Sequence, residues 1–304
     1  METPPLAKII IDTDIGDDID DALAIAFAVM RPELEVEAVT TVYGPTDLRL
    51  EIVSKLLHVL GRDDIPIAAG VGRSLGEVEA NIEKRFEGHV PNQHAFVKPE
   101  DDLRPATKDD AVDLIIETVD KFAGDIVLAT IGAETNIALA LQRDPELAKK
   151  VKAIAIMGGA PFDNKIEWNI RCDPDAAAVV FASEARKFVA SWETSCRVVM
   201  TPPYIDKLRP VQTPIAQALV ELIDLWMPKS GSKPGPVIYD MCPLLWAYDP
   251  SYFTIEPRRI LVETKGELTR GYTVPQQGEP NCELCTDLKH QEILDLFMET
   301  VSAG

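Results

Sequence analysis

Residues 9–24 read IIIDTDIGDDIDDALA. The stretch begins inside an apolar, β-branched run, residues 8–12, of the kind that forms a strand covered on both faces. It ends by opening residues 20–30, a helical stretch that is apolar all round. Between the two, Asp12, Asp14, Asp17, Asp18, Asp20 and Asp21 put six carboxylates within ten residues. In open α/β sheets that position, the carboxyl end of a strand, is where ligands bind. Aspartates also cap helices and favour the positive end of a helix dipole. Crowding separates the two readings. Carboxylates packed at one strand end repel each other unless a cation neutralises them or some take up protons. Oxygen donors with no Cys or His among them suit Ca²⁺ or Mg²⁺.

The same alternation continues outward. Residues 36–42, 125–130, 151–157 and 197–200 read as further strands, and residues 47–60, 108–122, 135–143, 175–181 and 213–227 as helices. Thr107 with Asp110 three residues on is close to a capping box, and Asp173-Pro174 supplies an N-cap followed by Pro at the first helical position. The pattern predicts an α/β fold: an open, mostly parallel twisted sheet with helices on both faces. Residues 75–104, with Gly76, Gly88, Pro91 and Pro99, read as a long irregular loop beside the site. Residues 228–236 (PKSGSKPGP) are linker-like but too short for a domain boundary, so residues 1–304 are expected to form a single domain.

Composition excludes several classes of function. The 304 residues carry 50 Asp plus Glu against 30 Lys plus Arg, a net charge of −20. Such a surface repels a phosphate backbone, so no nucleic-acid partner is expected. The longest apolar run, residues 22–30, is far short of the roughly 20 residues that span a bilayer, and no signal-peptide pattern opens the chain. No membrane partner is expected. Five cysteines, odd in number and thinly spread, make no disulfide framework and point to a reducing cytoplasm. Cys282-x-x-Cys285 is half a zinc site with no second pair, and reads as structural or incidental.

Three motif readings compete for the acidic cluster. An EF-hand would need an acid at Gly16 and a Glu closing the loop, and has neither. A haloacid-dehalogenase-type, Mg²⁺-dependent phosphatase would use Asp12-Thr13-Asp14, with Asp12 as nucleophile, but wants Thr or Val where Gly16 stands. The third reading covers much more of the chain. Residues 9–24 resemble the signature of the inosine–uridine-type nucleoside hydrolases, D-x-D-P-G-x-D-D-A, with Ile15 for the Pro and two extra residues before the final D-D-A. Further likenesses follow in order: Thr40-Thr41-Val42-Tyr43-Gly44, residues 129–138 (ATIGAETNIA), residues 156–169 (IMGGAPFDNKIEWN), residues 237–250 (VIYDMCPLLWAYDP) and residues 265–274 (KGELTRGYTV). Pro45 stands where the family usually has Asn, and Tyr239 where many relatives have His.

The resemblance implies a nucleoside-hydrolase-like domain that cleaves the N-glycosidic bond of ribonucleosides to ribose and free base through a Ca²⁺-bound water. It implies Asp14, Asp20, Asp21, the Ile131 carbonyl and Asp240 as metal ligands, and Asp14 as the base that takes a proton from the water. Glu167 and Asn169, two apart on an extended segment, point the same way and bracket ribose hydroxyls; Asp20, Asn164, Trp168 and Met157 complete the substrate set, Met157 serving equally as plain core. The transition state of such a cleavage is oxocarbenium-like, so the departing base needs help. Tyr239 and His89 are the candidates, with His94 on the same loop. Asp17 and Asp18 belong to the bulged turn, and Asp12 supports the site from behind. Relatives are commonly homodimers or homotetramers, which is the expected assembly. A non-catalytic member that binds a nucleoside is the remaining alternative, kept open by Pro45 and Tyr239.

Overall fold

The computed structural model describes residues 6–76, 88–231 and 234–303. Its strands are β1 (Ala7–Thr13), β2 (Leu34–Thr41), β3 (Ile67–Ala69), β4 (Ile126–Thr130), β5 (Ala153–Met157), β6 (Lys187–Ala190), β7 (Phe253–Val262), β8 (Thr273–Gln276) and β9 (Cys282–Leu288). They form one nine-stranded sheet in the order β3-β2-β1-β4-β5-β6-β9-β7-β8. Pairing is parallel from β3 across to β9, and antiparallel where β7 meets β9 and β8.

Side chains on successive strand positions point to opposite faces. Ile9 and Ile11 accordingly enter one apolar core and Ile10 the other. The first core holds the helices Asp20–Met30, Pro214–Trp226, Met241–Tyr248 and His290–Ala303; the second holds Ala111–Lys121, Thr135–Arg143 and Pro174–Ala182. Two covered faces are why β1, β4 and β5 read as continuous apolar runs rather than alternating ones. The Asp20–Met30 helix is buried from Asp20 through Ala28. That explains its lack of a polar face.

Two expectations are corrected. Residues 197–200 are not a strand: only Val199 makes a bridge, to Val237, and the strand beside β5 is Lys187–Ala190. Its opening lysine disguised it, yet Lys187 is 2% exposed. The helix after β3 is capped by Asp110, whose carboxylate accepts from the Val112 amide at 2.8 Å, while the Thr107 hydroxyl accepts from the Ile67 amide at 3.0 Å. The antiparallel β7–β8 hairpin, with β9 inserted between β6 and β7, carries no α/β alternation and was not anticipated. Within residues 75–104, Asn92–Phe96 form a 3₁₀ helix, and residues 77–87 of that loop lie outside the described part.

Candidate active site

Asp14 follows β1, Tyr43 follows β2, Ile131 follows β4, Met157 ends β5 and Trp192 follows β6; all line one cavity of about 750 Å³. The cavity therefore lies outside the carboxyl ends of the parallel strands. Asp20 and Asp21 reach it from the first turn of their helix, where the dipole favours negative charge. Asp240 reaches it from the N-cap position of the Met241–Tyr248 helix, with no cap hydrogen bond from its side chain. Oxygens of Asp20, Asp21 and Asp240 all lie within 4.8 Å of one another, and the three residues are buried. Thr13 Oγ1 donates to Asp21.

Burial raises the pKa of Asp21 and Asp240 well above the usual carboxylate range, and repulsion within the group, Asp14 included, adds to it. Asp14 is pushed up to about 6, chiefly by burial; the Arg49 charge and a hydrogen bond with Trp168 oppose the rise. Carboxylates this close and this buried are stable only protonated or neutralised by a cation. The donors are oxygens alone, joined at the cavity by the residue whose carbonyl was expected to bind metal, Ile131. The set fits a hard divalent cation.

Asp12 is elsewhere. It is fully buried, absent from the cavity wall, and accepts from Thr40 Oγ1 at 2.6 Å and Asn136 Nδ2 at 2.8 Å. Burial pushes it up to about 7. A nucleophile so enclosed cannot meet a phosphate ester, which removes the phosphatase reading. Asp17 accepts from Arg49 Nη2 at 3.1 Å and pairs with the His89 ring at 3.1 Å; Asp18 accepts from the Ile19 amide at 2.9 Å. Both stand on the cavity wall outside the three-carboxylate group.

Glu167 and Asn169 line the cavity, but the local backbone differs from expectation. Glu167 is the N-cap of a short helix, Trp168–Cys172, and the extended segment stops there. Its carboxylate accepts from the amides of Asn169 at 2.9 Å, Ile170 at 3.1 Å and Gly159 at 3.1 Å. Asn169 Nδ2 donates to the carbonyls of Ile131 at 3.2 Å and Met157 at 3.1 Å. The two residues thus tie the ends of β4 and β5 together. Trp168 is half exposed on the wall. Asn164 is exposed, lies off the wall, and accepts from the Tyr272 hydroxyl at 2.8 Å.

Tyr239 and His89 also line the cavity. Burial, reinforced by Asp20 and Asp18, raises the Tyr239 phenol far above its ordinary value, so it is a hydrogen-bonding group and not an anion. His94 is not on the wall; it pairs with Glu51 at 2.6 Å. Cys282 and Cys285 lie buried on β9, away from the cavity, and none of the five cysteines is in a disulfide.

Sequence reasoning missed Arg49, Trp192 and Lys165, all on the wall. Lys165 Nζ sits 3.3 Å from the centre of the Trp192 ring. A signal for Arg49 did exist. It falls at the helical spacing of Val53, Leu56 and Leu57, all buried, so a charge interrupts an apolar stripe.

An inosine-uridine preferring nucleoside hydrolase family matches residues 9–295. A pyrimidine-specific ribonucleoside hydrolase of Salmonella enteritidis, RihA, is 33% identical over 306 residues, covering 96% of this chain and 97% of its own. A plant nucleoside hydrolase superposes with a TM-score of 0.87 at 27% identity, over 99% of this chain and 100% of its own. A purine-preferring ribonucleoside hydrolase from Gardnerella vaginalis gives 0.86 at 26% identity, over 97% and 98%.

Proposed function

The chain belongs to the inosine-uridine preferring nucleoside hydrolase family and is a ribonucleoside hydrolase, and on that premise we propose how its residues divide the work. Asp14, Asp20, Asp21, Asp240 and the Ile131 carbonyl hold Ca²⁺. When bound, the ion supplies Lewis-acid and templating chemistry for a water and the sugar hydroxyls. The Asp14 carboxylate accepts the proton that the attacking water gives up; a bound cation would acidify that water, so an ordinary carboxylate can take its proton. Asn169, Glu167 and Asp20 face the ribose hydroxyls, and Trp168 and Met157 wall the sugar. Tyr239, and His89 held by Asp17, serve the leaving base by hydrogen bonding.

The observation that carries this reading is the meeting of Asp20 and Asp21 with the distant Asp240, within 4.8 Å, in the cavity that Asp14 and Asn169 line. The test is ribose release from a panel of uridine, cytidine, inosine, guanosine and adenosine, with EDTA and after Ca²⁺ is restored. We expect release that EDTA abolishes and Ca²⁺ recovers. Release indifferent to EDTA overturns the metal assignment. The panel spans both base classes because the named relatives divide between pyrimidine and purine substrates.

The reading extends to residues 1–304 as a single nucleoside hydrolase-like domain, assembled as a homodimer or homotetramer. It also puts the enzyme in the cytoplasm, which five cysteines outside any disulfide support. Among the described residues no helix is long and apolar enough to cross a membrane.

A further inference from the structure

Arg49 is 2% exposed, and a guanidinium so buried is costly unless its donors are met. All three of its nitrogens are met. Nε donates to the Tyr43 carbonyl at 2.8 Å. Nη1 donates to the carbonyls of Asp14 and of Ile15, the latter at 2.7 Å. Nη2 donates to the Asp17 carboxylate at 3.1 Å. These acceptors lie on two separate turns, one leaving β1 and one leaving β2.

Both turns take backbone conformations that most residues avoid. Gly16 has a φ of 124°, and a Cβ there would meet Pro91 at 2.6 Å. Tyr43, at φ 63°, is the one non-glycine among the described residues with positive φ, a sparsely populated state for a bulky residue. The arm that holds both turns is rigid, because the Thr46–Val59 helix buries Ile52, Val53, Leu56 and Leu57 in the core. Arg49 thus grips the backbone of Asp14 and leaves its carboxylate to the cavity. Its charge also opposes the rise in the Asp14 and Asp21 pKa values.

We propose that Arg49 is a positioning residue for the hydrolysis, a planar clamp that fixes the Asp14 turn against the end of β2 and so aims the Asp14 carboxylate at the attacking water. The inference rests on the hydrolase reading of this cavity with Asp14 as base.

Arg49→Lys tests it. Lysine keeps the charge but replaces a planar fork with a point donor, which cannot serve both turns together. With Ca²⁺ saturating, we expect kcat on the best nucleoside to fall by about 10- to 100-fold, the range for residues that orient ligating groups. KM should stay within about threefold, because substrate contacts are intact. Calorimetric titration with Ca²⁺ alone should show a Kd raised about tenfold. In Arg49→Ala, added methylguanidinium should recover part of kcat without changing KM. Wild-type kcat and Kd in Arg49→Lys overturn the inference, as does a rise in KM at constant kcat. If neither variant folds, Arg49→Ala is refolded with methylguanidinium: recovered Ca²⁺ binding supports the clamp, and none overturns it. A wild-type chain that releases no ribose defeats the hydrolase reading instead, and the Ca²⁺ titration still reads the clamp.

Discussion

Glu167 and Asn169, proposed to face the ribose together, each also hold the local backbone. Glu167 spends its carboxylate on three backbone amides, so Glu167→Gln should lose about 1–3 kcal/mol of stability in a denaturant melt, because an amide N–H₂ must face one of those donors. Asn169 grips two carbonyls at the cavity floor, beside the position proposed for the ribose. Asn169→Ala should leave the fold intact, by circular dichroism, and lower kcat/KM about 10- to 100-fold, or roughly 1.4–2.8 kcal/mol. Equal kcat/KM in variant and wild type would remove Asn169 from the chemistry. Lys187 makes a different case. Burial lowers its pKa from 10.5 to about 8 even though it donates to the carbonyls of Ser183 and Ala185. Between those two values the unfolded chain holds a proton that the folded chain has released, so stability from this group rises with pH across the window. Below about 8 both states are charged and the full burial cost, roughly 3 kcal/mol, is present. The stability of Lys187→Met relative to wild type should therefore be greatest below pH 8 and decline towards 10.5, measured by urea melts at each pH.

Among the elements, the helix Pro174–Ala182 shows what spacing reveals and what it hides. Its N-cap was legible in Asp173-Pro174, and Asp173 does accept from the Ala176 amide at 3.0 Å. Its other oxygen accepts from the Leu75 amide at 2.7 Å and Thr135 Oγ1 at 2.8 Å, contacts from distant segments that no local pattern encodes. Asp173→Ala should thus cost more than an exposed cap, at least about 2 kcal/mol by thermal melt, with Ca²⁺ affinity unchanged. The parallel strands were legible because burial on both faces leaves a continuous apolar run. β6 was hidden by a charged first residue, and β8 is only four residues long with an exposed end. At the cavity, the acidic group and Asp240 were readable from residue type and order. Trp192 was not, and Arg49 showed only as a charge in the apolar stripe of its helix, since its partners lie on two turns that no local pattern joins.

At the scale of the molecule, net charge of −20 and a buried acid cluster pull the same way. Without metal, the fold holds protons on Asp14 and its neighbours that the unfolded chain gives up near pH 4. Stability of the EDTA-treated protein should then fall as pH rises from about 4 to 7. Ca²⁺ should reverse the trend, raising Tm most at neutral pH and little at pH 5, where protons compete for the same oxygens. Thermal melts across that range, with and without Ca²⁺, read both slopes. The cluster also has a bearing on how the chain reaches its native state. More than 200 residues separate Asp20 and Asp21 from Asp240, so like charges meet only when a contact of very high sequence separation closes. Long-range closure is slow on entropic grounds alone, and here it is also opposed by repulsion. A cation that neutralises these carboxylates would therefore ease the closing of this long loop as well as steady the closed site.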